Sequence, residues 1–366
     1  MRQANADLDF DDDAPLLDVT DLEVTYRTRS GDLVAVDHID FTVNENEIFG
    51  LVGESGCGKS TVAQAMLGLL PSNGDVSAGS VEFRGIDLTD LEKRELDTLR
   101  WEHVSLISQG AMNSLNPVLR ISNQIIEAIQ AHRDVSKEQA RERTAELFEM
   151  VGLDPARMDD YPHQFSGGMK QRAYIAMSLA LDPDLIVADE PTTALDVIVQ
   201  DQILKRLKEL RDELGISVII ISHDISVIAE TCNRLGVMYS GKLMEYGDLR
   251  DIFANPYNPY TLGLQNAFPT LRGDQSDLIS IPGSPPDIAA LPDGCRFRER
   301  CPFATMECDT EHPPLEEVAE DHYSACYHHE KVETMRTDAQ RRRTWEALRE
   351  GGAATTRAAT AEDADD

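Results

Sequence analysis

The chain has no apolar run approaching the ~20 residues that a bilayer-spanning helix needs, although hydrophobic residues make up 41% of its 366 positions. Its N-terminus has no apolar stretch of the kind an export signal requires. These two absences predict a soluble, intracellular protein that would reach a membrane only by docking on it. Basic residues are scarce: 34 Lys and Arg stand against 66 Asp and Glu, a formal net charge of −32. Such a surface repels phosphate backbones and argues against a nucleic-acid partner. The acid is spread along the chain rather than gathered in a tail. That distribution fits adaptation to high salt, where a dense acidic surface keeps proteins soluble. Close cysteine pairs are missing too. None of the six cysteines forms the C-x2–4-C knuckle of a zinc ribbon.

What is present begins with Gly53-Glu54-Ser55-Gly56-Cys57-Gly58-Lys59-Ser60-Thr61, a fit to G-x-x-x-x-G-K-[ST]. The apolar residues 48–52 before it read as a buried strand, and residues 61–70 after it read as a helix. Strand, glycine loop and helix together are the setting this motif requires. Gly56 and Gly58 allow a tight turn that aims successive N–H groups and a helix N-terminus at phosphate oxygens. Lys59 adds a positive charge toward the β- and γ-phosphates, and the Ser60 hydroxyl is placed to hold Mg²⁺. The chain is thereby expected to bind a nucleoside triphosphate. Cys57 falls at the helix start, where a thiol's pKa is lowered. ATP hydrolysis needs no covalent nucleophile, so no catalytic role is expected of it.

Taken in order, residues 1–15 carry five Asp between Asp7 and Asp13 and are expected to be disordered. Residues 22–26 and 33–43 alternate as two strands around a polar turn over residues 27–32, and residues 80–83 add another strand. A charged helix is expected over 92–100, a strand over 104–108 ending at Gln109, and helices between Ile121 and Gly152. Ser136 and Gln139 form a capping box there. Residues 185–188 and 217–221 are unbroken apolar runs that read as parallel strands buried on both faces. The result is an α/β core. Beyond about residue 255 prolines become frequent, and four cysteines fall within residues 295–326. One helical stretch over residues 331–350 then leads to a tail expected to be disordered.

Four features go beyond the lysine loop. Asp189 and Glu190 end the apolar strand, the first placed to hold Mg²⁺ through water and the second to polarise the attacking water. Ser166-Gly167-Gly168 opens a helix expected over residues 173–181 and makes a second anion-cradling start. Ala194-Leu195-Asp196 follows the acidic strand, and His223 ends the last strand. These residues in this order resemble the nucleotide-binding domain of the ATP-binding cassette transporters, over residues 16–255. The resemblance implies a P-loop cassette with a mixed sheet core, an antiparallel β subdomain and a helical signature subdomain. It implies that ATP lies between the lysine loop of one subunit and the signature of another. Tyr26 would then stack on adenine, Gln109 would sense Mg²⁺ and the membrane subunit, Asp196 would be the D-loop aspartate, and His223 the switch histidine.

Residues 161–172 and Asn113-Ser114-Leu115-Asn116-Pro117 are similar to the oligopeptide/dipeptide (and nickel) importer ATPases. Gly110-Ala111 stand where most members have an acidic residue and proline. Residues 255–261, 281–286 and 294–297 are similar to that subfamily's C-terminal extension, here a Cys-containing module over residues 256–330. Its cysteines, Cys295, Cys301, Cys308 and Cys326, follow C-x5-C-x6-C-x17-C. Clustered thiols in an intracellular protein suggest metal before disulfide. Their spacing, with Pro302, suits a [4Fe–4S] cluster better than zinc, and structural cysteines are the remaining alternative. The histidines nearby, His312, His322, His328 and His329, read as surface residues.

The function expected is ATP hydrolysis at the cytoplasmic face of a membrane, powering import of peptides, nickel or another small solute. Expected partners are a second ATPase subunit, a paralogue by the subfamily's habit, two membrane permeases and an extracellular binding protein. A soluble cassette acting in DNA repair or on ribosomes is the contrasting reading. Repair members carry a long coiled coil before the signature, and here only about a hundred residues separate Thr61 from Ser166. Ribosomal members carry two cassettes in one chain.

Overall fold

The computed structural model describes residues 8–110, 114–193, 195–267 and 279–350. Asp7, Ala111, Asn113, Ala194 and the C-terminal tail, each part of an expectation above, lie outside them. The chain divides into two compact units, residues 1–242 and 243–366.

The first unit opens with the hairpin β1 (Leu17–Thr28) and β2 (Gly31–Val43). Its turn is shorter than the polar stretch 27–32 implied, because pairing runs out to Thr28 and Gly31. The Thr28 hydroxyl donates to the Gly31 carbonyl at 2.6 Å and closes it. β3 (Ile48–Val52) is buried throughout and feeds the glycine loop into α1 (Lys59–Met66). β4 (Gly74–Phe83) and β5 (Ile86–Asp87) return to the hairpin's sheet, in the order β2-β1-β4-β5. α2 (Lys93–Glu102) is opened by a capping box from Glu92 and Glu95, and leaves helical geometry at Arg100 and Trp101.

β6 (Val104–Ile107) precedes the helical segment of α3 (Ile121–His132), α4 (Lys137–Met150) and α5 (Gly167–Ser178). The Ser136–Gln139 capping box is formed as expected. α5 begins six residues ahead of the predicted start at 173, because Ser166 caps it by accepting from the Met169 N–H. Two glycines cost little in a first turn so satisfied. β7 (Leu185–Asp189), α6 (Val197–Leu214), β8 (Ser217–Ser222), α7 (Ile225–Thr231) and β9 (Arg234–Tyr239) complete the unit. β9, β3, β8, β7 and β6 lie side by side and parallel. The apolar runs in β3, β7 and β8 are buried on both faces, as continuous hydrophobicity requires.

The acidic N-terminus corrects the expectation of disorder for its described part. Phe10 packs edge-on against Phe83 at 5.8 Å and His103 at 4.7 Å, and the Asp11 N–H donates to the Arg84 carbonyl. One aromatic anchor is enough to dock a strongly charged segment.

Asp159 ties the helical segment together. It accepts from both arms of Arg141 and from the Ser122 hydroxyl. Arg141, and then Ser122, hold its carboxyl down at about 2. A carboxyl depressed in the fold contributes stability above the ordinary range near ~4, and that contribution is lost as pH falls toward 2. The stability gap between the wild type and Arg141→Ala is therefore expected to be flat above pH ~5 and to shrink below pH ~4 in urea titrations. The pair is partly exposed, so the gap stays under about 1 kcal/mol.

In the second unit β10 (Lys242–Asp248) leads to α8 (Leu249–Ala254) and α9 (Pro259–Asn266). β11 (Glu316–Ala319) and β12 (His322–Ser324) make an antiparallel sheet with β10, in the order β11-β12-β10. This pairing is why the unit starts at Leu243, ahead of the proline-rich stretch. α10 (Val332–Ala339) and α11 (Arg342–Glu350) replace the single helix expected over 331–350. The break lets Trp345, 1% exposed, turn inward and donate its indole N–H to the Ala339 carbonyl, while Thr344 donates to that of Asp338. Side chains of the second helix thus satisfy carbonyls that the first helix end leaves open.

Candidate functional site

The parallel sheet gathers the predicted residues by register. Val52 pairs with Ser222, Ile221 with Asp189, and Ala188 with Ile107. The residues just beyond these strand ends are Gly53, His223, Glu190 and Gln109. Loops outside the carboxyl ends of parallel strands are where open α/β sheets bind ligands.

The glycine loop is built tightly. Gly56 and Gly58 have φ of +82° and +108°, open to glycine and strained for other residues. A Cβ on Gly53 would lie 2.2 Å from the Met238 carbonyl oxygen, inside contact distance with rigid backbone. Gly53→Ala is therefore expected to displace the loop at a cost of ~1–3 kcal/mol and to abolish nucleotide binding. Fluorescent-nucleotide titration together with thermal melting checks both. Lys59 is buried, and its ammonium donates to the Gly53 carbonyl at 2.7 Å and the Glu54 carbonyl at 3.0 Å. Ser55 and Ser60 are exposed, and Thr61 is half-buried. The Tyr26 hydroxyl donates to Thr61 Oγ1 at 3.3 Å, which links β1 to the start of α1.

Cys57 corrects the expectation of a lowered pKa. It is 3% exposed, and burial pushes its thiol up against the pull of Lys59. The helix start alone suggested an activated thiol, but desolvation is the larger effect.

Asp189 is buried, and its Oδ1 has no hydrogen-bond partner among the described residues. Burial raises its pKa, a bond with Ser60 opposes the rise, and Glu190 adds to it. An orphaned carboxylate oxygen beside a serine hydroxyl and a second acid fits a hard divalent cation. Ser60 and Asp189 could hold Mg²⁺, with Gln109 at the rim.

Glu190 is the centre of the polar network. It sits at φ +49° and accepts from three residues, one in its own loop and two beyond the neighbouring strands. Gln109 Nε2 donates to Oε2 at 3.2 Å, the Thr193 hydroxyl donates to the same oxygen at 2.7 Å, and His223 Nδ1 lies 2.9 Å from Oε1. Burial alone would raise its pKa, but Thr193 and His223 keep it below the usual glutamate range. A carboxylate fixed and kept ionised in this way can orient a water and take its proton. Thr193 escaped the sequence reading. Its place three residues after the acid, in Pro191-Thr192-Thr193, is the signal that could have found it.

The signature residues stand apart from this network. Ser166 caps its own helix, and Ser166 and Gly167 are exposed. Gly168 is held close to Val199, which a Cβ would meet at 2.5 Å. Asp196 caps α6 by accepting from the Val199 N–H at 3.0 Å, so its local role is that of a helix cap.

Comparison with known proteins decides the family. An ABC transporter family model matches residues 36–193, which contain the glycine loop, Gln109, the signature and the acidic strand end. A model of the oligopeptide/dipeptide transporter C-terminal region matches residues 244–308. The oligopeptide transport ATP-binding protein OppD of Salmonella typhimurium is 46% identical over 314 residues, covering 85% of this chain and 93% of that protein. The chain belongs to the ABC transporter family. It is an ATPase cassette of that family. The dipeptide transport ATP-binding protein DppD of Bacillus subtilis is 42% identical, covering 85% of the cassette chain and 94% of that protein. Among solved structures, the ATP-binding cassette MJ0796 in a dimeric post-hydrolysis state bound to ADP and Pi has a TM-score of 0.58 at 30% identity. It covers 64% of this chain and 99% of its own.

In the cassette's second unit, Cys295, Cys301, Cys308 and Cys326 all line one small cavity, together with His328. All four are free thiols. Burial pushes Cys295 to about 11, Cys326 to about 12 and Cys301 well above its usual value, and the neighbouring thiols add to each. Tetrahedral thiolates around one zinc, at ~2.3 Å from the metal, lie ~3.8 Å from one another. Among the described residues the only group of three such ligand atoms within 4.8 Å of one another is Glu23, Asp37 and His38. The thiols are thus spread wider than a single ion requires, which fits a multinuclear group.

None of the four nearby histidines is an exposed surface residue: His312 is half-buried, its Nδ1 accepting from the Arg296 N–H at 3.4 Å. His322 is 2% exposed, with Nε2 at 2.8 Å from Glu245 Oε1. His328 is half-buried against the thiols. His329 is half-buried too, with Nδ1 at 3.1 Å from the Cys326 carbonyl. Strand pairing and the fold of the cysteine loop bring them in, and neither leaves a trace in residue order.

Proposed function

We propose that the chain is the ATP-hydrolysing subunit of an importer for peptides of the dipeptide and oligopeptide class. It would act at the cytoplasmic face of the membrane with a second cassette, two permeases and an extracellular binding protein. The observation that carries this reading is the single carboxylate, Glu190, held by Gln109, Thr193 and His223 beyond the ends of adjacent strands. The names of OppD and DppD, and the matched C-terminal region, support peptides over nickel or other solutes.

In this reading Gly53, Ser55, Gly56, Cys57, Gly58, Lys59, Ser60 and Thr61 cradle the phosphates, and Tyr26 faces the adenine. Ser60, Gln109 and Asp189 hold Mg²⁺, which neutralises phosphate charge. Ser166 and Gly167 are exposed and so are free to meet ATP bound to a second cassette, with Gly168 and Asp196 beside them. Glu190 draws the proton from the attacking water, and His223 reaches the γ-phosphate. A groove of about 220 Å³ lined by Leu67, Leu69, Trp101, Leu106, Tyr174 and Met177 borders the strand that leads to Gln109. It offers an apolar seat for a permease segment next to the residue that would report its arrival. No helix among the described residues is long and apolar enough to cross a membrane.

Tagged chain extracted from its own membranes should bring with it one further cassette and two integral membrane proteins. Recovery with ribosomal or DNA-repair proteins instead would overturn the importer reading. The spread of thiols supports a [4Fe–4S] cluster on Cys295, Cys301, Cys308 and Cys326, a group with structural and one-electron chemistry. Anaerobically purified chain should then carry about four iron atoms. The net charge of −32 supports adaptation to high salt. Retained helical circular dichroism in dilute buffer would count against that.

A further inference from the structure

We infer that His328 is the hydrogen-bond donor to the Cys308 sulfur, and thereby a positioning residue that sets the reduction potential of the cluster. This rests on the cluster assignment proposed above. His328 touches two of the four sulfurs. Its backbone N–H donates to Cys326 Sγ at 3.4 Å, and its ring Nε2 lies 3.8 Å from Cys308 Sγ. The same Nε2 is 3.0 Å from Thr305 Oγ1, and that hydroxyl is 3.9 Å from Cys308 Sγ. Ring, hydroxyl and sulfur thus form a closed triangle at the cavity wall. A metal-bound thiolate has no proton to give and can only accept. It therefore selects the tautomer with hydrogen on Nε2, and frees the Thr305 hydroxyl to donate to the sulfur as well.

Donors to cluster sulfurs stabilise the more negative, reduced state and so raise the potential. His328 and Thr305 both place a polar side-chain atom within hydrogen-bond reach of Cys308 Sγ. The ring is not a ligand in this arrangement: the four thiols supply a full set, and the imidazole lies at their side.

The test is an EPR-monitored redox titration of anaerobically purified full-length chain, wild type against His328→Phe, with iron and sulfide measured on each. Phenylalanine keeps the ring's bulk and removes the donor. The expected result is unchanged iron and sulfide, with reduction disfavoured about tenfold, a shift of about 59 mV to more negative potential for one electron. Thr305→Val should shift the potential in the same direction by less, and it serves as the test if His328→Phe does not fold. Unchanged potential at full iron content overturns the inference while leaving the cluster assignment intact. Loss of about one iron in four from the phenylalanine variant also overturns it, since His328 would then be a ligand. Wild-type chain with no iron overturns both the cluster and the role of His328.

Discussion

Glu190→Gln is expected to cut ATP turnover by about 10²–10⁴-fold while leaving nucleotide binding intact. The substitution keeps the shape and one acceptor oxygen, but it removes the group able to take a proton from water. In the native site both carboxylate oxygens are engaged, Oε2 by Gln109 and Thr193 and Oε1 by His223. An amide can keep its oxygen toward Gln109 and Thr193 and donate its NH₂ to His223 Nδ1 in the other neutral tautomer. The fold should tolerate this, because the network lies at an exposed rim. ATP with magnesium should then hold the variant on a second cassette, visible as a doubled mass by light scattering after gel filtration. Turnover above a tenth of wild type would remove Glu190 as the base. A lone subunit under these conditions would sink the shared-ATP account itself.

Glu245→Leu is the second large effect, and it is one of stability. Glu245 is fully buried at the heart of the second unit. Its Oε1 accepts the Tyr257 N–H at 2.6 Å and lies 2.8 Å from His322 Nε2, and Oε2 accepts the Asn258 N–H at 3.2 Å. Asn258 in turn donates to the Met244 and Ala325 carbonyls, so one carboxylate anchors β10, the turn into α9 and the segment after β12. Leucine fills the volume and strands three buried donors, a loss of about 3–5 kcal/mol. Glu245→Gln, which keeps one acceptor oxygen, should lose less than half of that. Urea unfolding of both variants followed by a probe in the second unit measures it. Equal losses would show that the carboxylate's charge, not the number of acceptor oxygens kept, accounts for the effect.

Much of the ATP site is legible in residue order because its parts are local. A glycine loop between strand and helix, an apolar strand ending in Asp189-Glu190, and a serine that caps a glycine-led helix each carry their chemistry within a few residues. The parallel core follows from the same kind of evidence, since unbroken apolar runs at β7 and β8 can only be buried on both sides. Periodicity also placed the capping box at Ser136, where two side chains three residues apart satisfy each other's backbone.

What residue order could not supply depends on groups brought together from far apart. Only the register of β8, β7 and β6 sets Gln109 and His223 around one carboxylate, where Thr193 joins them from the acid's own loop. Burial overruled a local rule at Cys57, whose helix-start position argued for a reactive thiol. Burial likewise moved His322 and His328 from the surface to a buried acid and a thiol cavity. A break between α10 and α11, which lets Trp345 turn inward, interrupts a helix that residue order would have continued. The alphabet and spacing of this chain determined that it handles ATP, and tertiary packing decided which side chains hold the catalytic acid and what surrounds the thiols. Hydrogen bonding and desolvation depend on distance in space, and distance along the chain does not determine it.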